Sequence, residues 1–350
     1  MGSNIRGSRV INYAAAVAAL VLCSEVAHAD QGGSSFWFPG QFASLAAVQQ
    51  TPGWALSVID YHSSVAAAGS TAAAREIQGG RIPATVNVNL NLSLIGRTDL
   101  VTLEPSYTFA TPVLGGQLVG GIAGQYGMAA ASIGGTLTAI AGPIVVTRSG
   151  VLEGSLVSYG DLAPFAELIW NHGVNNYMAY VTGNVPVGDN DPTRIPNIGL
   201  GHGAFDIGGA YTYFNQATGN EFSGVAGLTY NFRNPNTQYR SGIDLHFDWG
   251  ASHYLTKQLF VGIAGYAYQQ ITDDSGQNPI LGGFRSRIFG VGPQIGYSFP
   301  VGDMQGSLSL RGYGEFGATN RPSGWNTWLT FTIAPTAPAA VGTTKRLVAN

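Results

Sequence analysis

Asp244-Leu245-His246-Phe247-Asp248 puts a carboxylate, an imidazole and a carboxylate at alternate positions. On a strand these three side chains share one face, at ~6.5–7 Å between i and i+2. Metal binding would therefore need a ligand from another strand and a supporting shell. The plainer reading is a polar row, paired with Arg311 or another Arg across an enclosed space. Asp189 with Asp191, and Asp273 with Asp274 before Gly276, have the acidic character that calcium loops use. Neither carries the full calcium-loop pattern, and ordinary turn chemistry accounts for both. His62-Ser63 offers an imidazole beside a hydroxyl. A nucleophile needs a base and an orienting group converging in space, and no local pattern marks them. Gly201-His202-Gly203 reads as strand punctuation rather than a phosphate loop. The expectation is no enzyme activity, no metal site and no cofactor.

The elements that carry these residues follow from composition and periodicity. Charged residues are 10% of the 350, against about 25% in soluble proteins. Hydrophobic residues make up an ordinary 45%, while Gly reaches 50 residues. Low hydrophobicity with high net charge marks disorder, and neither is present. Lys occurs only at Lys257 and Lys345 and the net charge is −3. That excludes a basic stripe for nucleic acid and a Lys-rich helical array.

Arg6 and Arg9, the apolar run Ala14 to Cys23, and Ala27-His28-Ala29 follow one another as the three regions of a secretory signal peptide. Cleavage is expected after Ala29. Cys23, the only cysteine, then leaves with it. Leu22 before it is too bulky for a lipoprotein site, so no lipid anchor is expected. The exported chain has no disulfide and no Cys-ligated metal to stabilise it.

From Val86, V-N-V-N-L-N-L-S-L alternates apolar and polar residues with period two, the signature of a strand with two unlike faces. Glu104 opposes Leu103 and Tyr107; Asp206 opposes Phe205 and Ile207; Asp244, His246 and Asp248 oppose Leu245 and Phe247. Arg311 and Glu315 oppose Leu308 and Leu310. The pattern continues through the chain, so the fold class is all-β. Long strands, scarce charge and aromatics near strand ends (Tyr230, Trp249, Tyr254, Trp325, Trp328) favour a transmembrane antiparallel β-barrel over a soluble sandwich. Leu118 to Ala141 has the hydropathy of a membrane helix, but its Gly content and Gln125 argue against one.

Short turns are expected near His172–Asn175, Phe214–Asn220, Tyr254–Lys257, Pro300–Gln305 and Thr111–Gly116. Longer loops are expected near Gly188–Gly201, Arg233–Tyr239, Thr272–Gly283, Thr319–Ser323, Ala141–Gly150 and Ser64–Gly80. Such alternation fits a membrane barrel. It gives twelve strands over residues 53–335, or fourteen if Ile95–Asp99 is a turn rather than a bulge. Residues 1–29 form the signal peptide. Residues 30–52 either enter the lumen as a plug or pack at the rim, with Phe36, Trp37 and Phe38 as candidate plug or capture residues. Residues 336–350 form a flexible tail. The inward phase assigns Glu104, Asp161, Glu167, Asp206, Glu221, Asp244, His246, Asp248, Arg311 and Glu315 to the lumen lining, because a charge facing lipid at mid-membrane costs about 2–4 kcal/mol. Arg285 and Arg287 fall out of phase and are placed at the external rim.

With the strands placed, local motifs become comparable. Ser35-Phe36-Trp37-Phe38-Pro39-Gly40, Gly209-Ala210-Tyr211-Thr212-Tyr213, Thr229-Tyr230-Asn231-Phe232, Gly292-Pro293-Gln294-Ile295-Gly296-Tyr297 and Asn320-Arg321-Pro322-Ser323-Gly324-Trp325-Asn326 occur in this order. The chain resembles the outer-membrane protein family named for the meta-pathway of phenol degradation, from roughly Ser34 to Pro335. The resemblance implies a Gram-negative outer-membrane channel that admits small hydrophobic or aromatic compounds passively. Its partners would be outer-membrane lipid and those solutes. A general polar porin and a non-transporting structural or adhesive barrel remain the alternatives, and oligomeric state is open.

Overall fold

The computed structural model describes residues 35–71, 86–141, 144–276 and 285–336. The expected signal peptide and cleavage site, and the tail beyond Thr336, lie outside the described residues.

Twelve strands follow in order: β1 (Gly53–Thr71), β2 (Val86–Thr108), β3 (Gln117–Ala141), β4 (Ile144–His172), β5 (Asn175–Asn184) and β6 (Ala204–Asn215). Then come β7 (Asn220–Asn231), β8 (Asp244–Tyr254), β9 (Leu259–Gln270), β10 (Arg287–Val301), β11 (Met304–Thr319) and β12 (Ser323–Pro335). Each strand pairs antiparallel with its sequence neighbour, and β12 returns to β1, closing the barrel. Closure leaves no exposed sheet edge, so every strand can satisfy its backbone through its two neighbours.

The segment with helix-like hydropathy is β3, laddered to β2 and β4 along its length. Ile95–Asp99 is neither turn nor bulge, since it pairs without a break with β1 and with β3. The register shift in this region falls between Gly124 and Tyr126. The described parts of two expected loops are strand instead, while residues 72–80 and 142–143 lie outside the described residues. Residues 64–71 continue β1, and residues 144–150 continue β4 down to the pair Ala141↔Ile144. Their Ser, Thr and Gly content resembles a loop, but the neighbouring long strands offer a ladder that satisfies the backbone. The barrel is therefore lopsided: β2 to β4 run 23, 25 and 29 residues, whereas β5 to β8 run 10 to 12.

Alternation sets the two faces. On β7, Phe222, Leu228 and Tyr230 are exposed while Glu221, Ser223, Val225, Thr229 and Asn231 are buried. On β8, Leu245 and Phe247 are exposed while Asp244, His246 and Asp248 are buried. The outer wall is thus apolar and the interior polar, as a lipid-embedded barrel requires.

One group departs from that rule. Ser63 and Thr98 line the interior, so their chain neighbours His62, Arg97 and Asp99 point outward, with Asp60 exposed on the same face. The expectation that strand charges turn inward fails here. His62 Nδ1 lies 2.5 Å from Asp99 Oδ1, and Arg97 Nε donates to Asp99 Oδ2 at 2.9 Å. The His62 ring also meets Trp325, at the start of β12. Mutual pairing close to the loop end explains the tolerance, because the cost of a charge falls to about 0–1 kcal/mol near an interface.

Residues 35–47 run inside the barrel between two apolar clusters, and Gln49, Gln50 and Pro52 beyond them are exposed. Trp37, Ala47 and Phe42 pack with Val119, Ile169, Met178, Tyr180 and Val225. Ala43 and Phe38 pack with Ala264, Tyr266, Tyr268, Ile288, Tyr313 and Trp328. Space for large inward rings comes from glycine. A Cβ at Gly227 would stand 2.2 Å from the Tyr180 hydroxyl and 2.7 Å from His246 Cε1.

Candidate functional site in the barrel lumen

The inward carboxylates divide by what they hold. Asp248, between β7 and β9, accepts the Gly40 N–H on Oδ1 at 3.0 Å and the Phe42 N–H on Oδ2 at 3.2 Å. Glu221 accepts the Leu45 N–H at 2.9 Å, the Ser223 hydroxyl at 2.5 Å and the Ser252 hydroxyl at 2.8 Å. The Thr212 hydroxyl accepts the Ala47 N–H at 3.0 Å. Arg311 donates from Nη2 to the Gln41 carbonyl at 3.1 Å, and Gln294 donates to Ser44 Oγ at 2.7 Å. The N-terminal segment has no strand ladder of its own, so its buried amides take their acceptors from barrel side chains.

Asp206 and His246 form the deepest pair. His246 Nε2 stands 2.9 Å from Asp206 Oδ2, and both side chains are fully buried. The Thr229 hydroxyl donates to the same Oδ2 at 2.5 Å. Trp37 stacks on the imidazole with centroids 3.6 Å apart and 14° between planes. Asp244 accepts from Asn231 Nδ2 at 2.9 Å. The Asp244-His246-Asp248 row is therefore split among three tasks: an amide clamp, a Trp platform and the seat of the N-terminal segment. Among the described residues, no group of three or more His, Cys, Asp or Glu is arranged to hold a metal ion.

On the opposite side of the lumen a cavity of about 420 Å³ lies between the N-terminal segment and the walls of β1–β4, β11 and β12. Phe36, Trp37, Phe38, Tyr61, Phe165 and Trp328 supply its aromatic surface. Glu104, Asp161, Glu167, Arg311 and Glu315 also open onto it. Phe38 meets Tyr61 and Trp328 edge-on. Arg311 lies over the Trp328 ring at 5.5 Å. Glu315 accepts from the Tyr266 hydroxyl at 2.7 Å and the Gly324 N–H at 2.8 Å.

Asn197, Ile198 and Leu200, from the connection between β5 and β6, roof the cavity. Asp161 anchors that roof, taking the Gly188 N–H at 2.8 Å, the Leu200 N–H at 2.9 Å and Asn184 Nδ2 at 2.7 Å. Outside the strands, Arg194 grips Asp189, and its hydrogen bond holds that carboxyl below the usual carboxylate range. The Thr193 hydroxyl does the same for Asp191. Asp274 takes the Gly242 N–H, the Gln270 amide and the Tyr239 hydroxyl, while Asp273 pairs with Arg285. Both acidic loop clusters are thus engaged by their own chain. Arg287 is exposed and donates to the Gly317 carbonyl and the Thr319 hydroxyl. His62 and Ser63, adjacent in sequence, lie on opposite faces of β1, which removes the imidazole–hydroxyl pair.

Several contributors carry no mark in the sequence beyond their phase on a strand. Tyr180, Tyr266, Gln294 and Asn326 are buried inside the barrel. Each is an ordinary strand residue until its partner across the lumen is known.

The sequence model of the family described as "Putative MetA-pathway of phenol degradation" matches residues 82–331. No protein of curated function matches the chain by sequence. Among solved structures, an outer membrane channel from Pseudomonas putida F1 is similar, with TM-score 0.59 and 11% identity, over 83% of this chain and 98% of that one. A FadL homologue from Pseudomonas aeruginosa matches with TM-score 0.38 and 10% identity, over 89% of this chain and 98% of that one. At these identities the likeness to the first concerns the fold.

Proposed function

The chain belongs to the putative MetA-pathway of phenol degradation family, and from that premise we propose that it is an outer-membrane channel for passive entry of small hydrophobic or aromatic compounds. The observation that carries this reading is the aromatic-walled cavity of about 420 Å³ inside a closed, apolar-surfaced barrel. An apolar solute gains about 25 cal/mol per Å² of surface it removes from water. Phe36, Phe38, Tyr61 and Phe165 offer such a surface behind the loop end. The short-turn end then faces the periplasm and the long-loop end the exterior, as in outer-membrane barrels generally. Residues 1–29 serve as the export signal, cleaved after Ala29. Residues 30–52 serve as the plug, with the ten inward residues as its frame and the cavity lining.

A general polar porin needs an open column of water. Here the N-terminal segment packs against side chains of β3 to β7 and of β9 to β12, which leaves the cavity beside β1–β4 as the path that favours a selective channel. The test is uptake of a panel of neutral aromatics and alkanes by intact cells with and without the gene. Faster entry of the aromatics with the gene supports the reading. Equal entry with and without the gene for every compound of the panel would overturn it.

A further inference from the structure

Glu104 and Glu167 differ from every other acid in the lumen. Asp161, Asp206, Glu221, Asp244, Asp248 and Glu315 each accept a hydrogen bond from the protein. Glu104 and Glu167 accept none from the described residues, and no Lys, Arg or His among those residues lies within ion-pairing distance of either. Both open onto the same cavity. Glu167 lies on β4 between Phe165 and Ile169, which share its inward phase. Phe36 and Phe42 face the same space from the N-terminal segment.

Two carboxylates in an apolar, partly enclosed setting are costly without a partner of opposite charge. A neutral solute offers them at most one or two hydrogen bonds. A cation relieves both through charge, and the aromatic faces add cation–π attraction to it. The lumen already holds positive groups in this way: Arg311 lies over Trp328 at 5.5 Å and Arg321 over Tyr268 at 4.9 Å. Among the described residues, no such group is paired with Glu104 or Glu167. We propose that this part of the cavity is a subsite for small aromatic ammonium ions, with the ammonium between Glu104 and Glu167 and the ring against Phe165 and Phe42. The proposal rests on the channel reading above and deepens it, by adding a cationic head to the solutes the channel takes.

The test uses the full mature chain purified in detergent, with equilibrium dialysis of three probes: phenyltrimethylammonium, its neutral isostere tert-butylbenzene, and benzoate. Phenyltrimethylammonium is expected to bind about tenfold more tightly than either comparison probe, the range of a desolvated cation–π and charge contact. In the Glu104→Gln/Glu167→Gln variant that preference should vanish. Replacing unpartnered acids by neutral isosteres does not threaten the fold, and heat-modifiable migration of the variant checks it. Equal binding of the three probes to the native chain, or a preference that survives both substitutions, would overturn the proposal. Cellular uptake of neutral aromatics separates the two ideas. Uptake with no ammonium preference sinks the subsite alone, whereas no uptake of any neutral aromatic sinks the channel reading.

Discussion

Asp248 holds Gly40 from across the lumen, its Oδ1 taking the Gly40 amide at 3.0 Å while Oδ2 takes that of Phe42 at 3.2 Å. One carboxylate thus fixes the turn of the N-terminal segment, and charge-assisted bonds of this kind are the stronger ones. Asp248→Ala would orphan both amides, at a cost of about 1–3 kcal/mol for each buried donor left unsatisfied. The expected result is a looser segment and higher single-channel conductance in planar bilayers. Asp248→Asn keeps one acceptor and should fall between. Unchanged conductance in Asp248→Ala would show that other contacts suffice to hold the segment.

Gly40 itself is constrained twice. Its φ is +86°, and a Cβ would come within 2.9 Å of both Tyr266 and Tyr313. Those rings lie in one cluster with Trp328 and Ile288 and have little room to give. Gly40→Ala should therefore displace the segment, adding about 1–3 kcal/mol of backbone strain to the clash. The measurement is chymotrypsin or subtilisin cleavage within residues 35–52 of the folded barrel. Resistance equal to that of the native chain would refute the crowding argument.

Trp37 fills the other side of the lumen, 1% exposed and stacked on His246. Trp37→Ala removes the ring that separates His246 from the cavity, with an expected loss of about 3–5 kcal/mol. Its readout is carbethoxylation of His246, followed by mass spectrometry. Protection in the native chain and labelling in the variant are expected. Equal labelling of both would mean that Trp37 does not shield the imidazole.

The barrel was legible because period two is unforgiving: Glu221, Ser223 and Thr229 can share a face with each other but not with Phe222 and Leu228. The strand ends were less so. Residues 64–71 and 144–150 carry the Ser, Thr and Gly of loops, and only the ladder from long neighbours makes them strand. The outward His62, Arg97 and Asp99 escaped the phase argument because pairing near an interface lowers the cost that argument relied on. The seat of the N-terminal segment had no sequence signature. Its bonds run from backbone amides to Asp248, Glu221 and Thr212, and any residue type except Pro supplies an amide. The same blindness hid the difference between Glu167 and Asp248, two acids in equivalent phase. One is hydrogen-bonded to a distant segment and the other faces a cavity, which is a property of the folded arrangement alone.

The lipid face gives a sharper test of the wall. Leu228 points outward from β7, one residue before Thr229, whose hydroxyl is buried against Asp206. Leu228→Arg should cost about 2–4 kcal/mol if this position lies near the bilayer midplane. Thr229→Val removes one hydrogen bond and should cost about 1 kcal/mol. Reversible unfolding in lipid vesicles would measure both. Equal penalties, or a greater one for Thr229→Val, would place this stretch outside the hydrocarbon.

The roof of the cavity should respond to acid. Arg194 donates from Nη2 to Asp189 Oδ1 at 2.5 Å and from Nη1 to Oδ2 at 3.3 Å, and this grip lowers the Asp189 pKa. The Thr193 hydroxyl and amide lower that of Asp191. Both carboxyls are depressed in the folded loop. Their contribution is therefore complete above the ordinary carboxylate value of about 4, and is lost as pH falls through the lower folded values. The groups are exposed, so the effect is modest and weakened by salt. Limited proteolysis of residues 186–203 should be flat from neutral pH down to roughly 4 and rise only below it. Arg194→Gln removes the cationic partner of Asp189, so the rise should begin at higher pH and no longer depend on salt. Cleavage of the native loop that already rises near neutral pH would sink this account, since neither carboxyl titrates there.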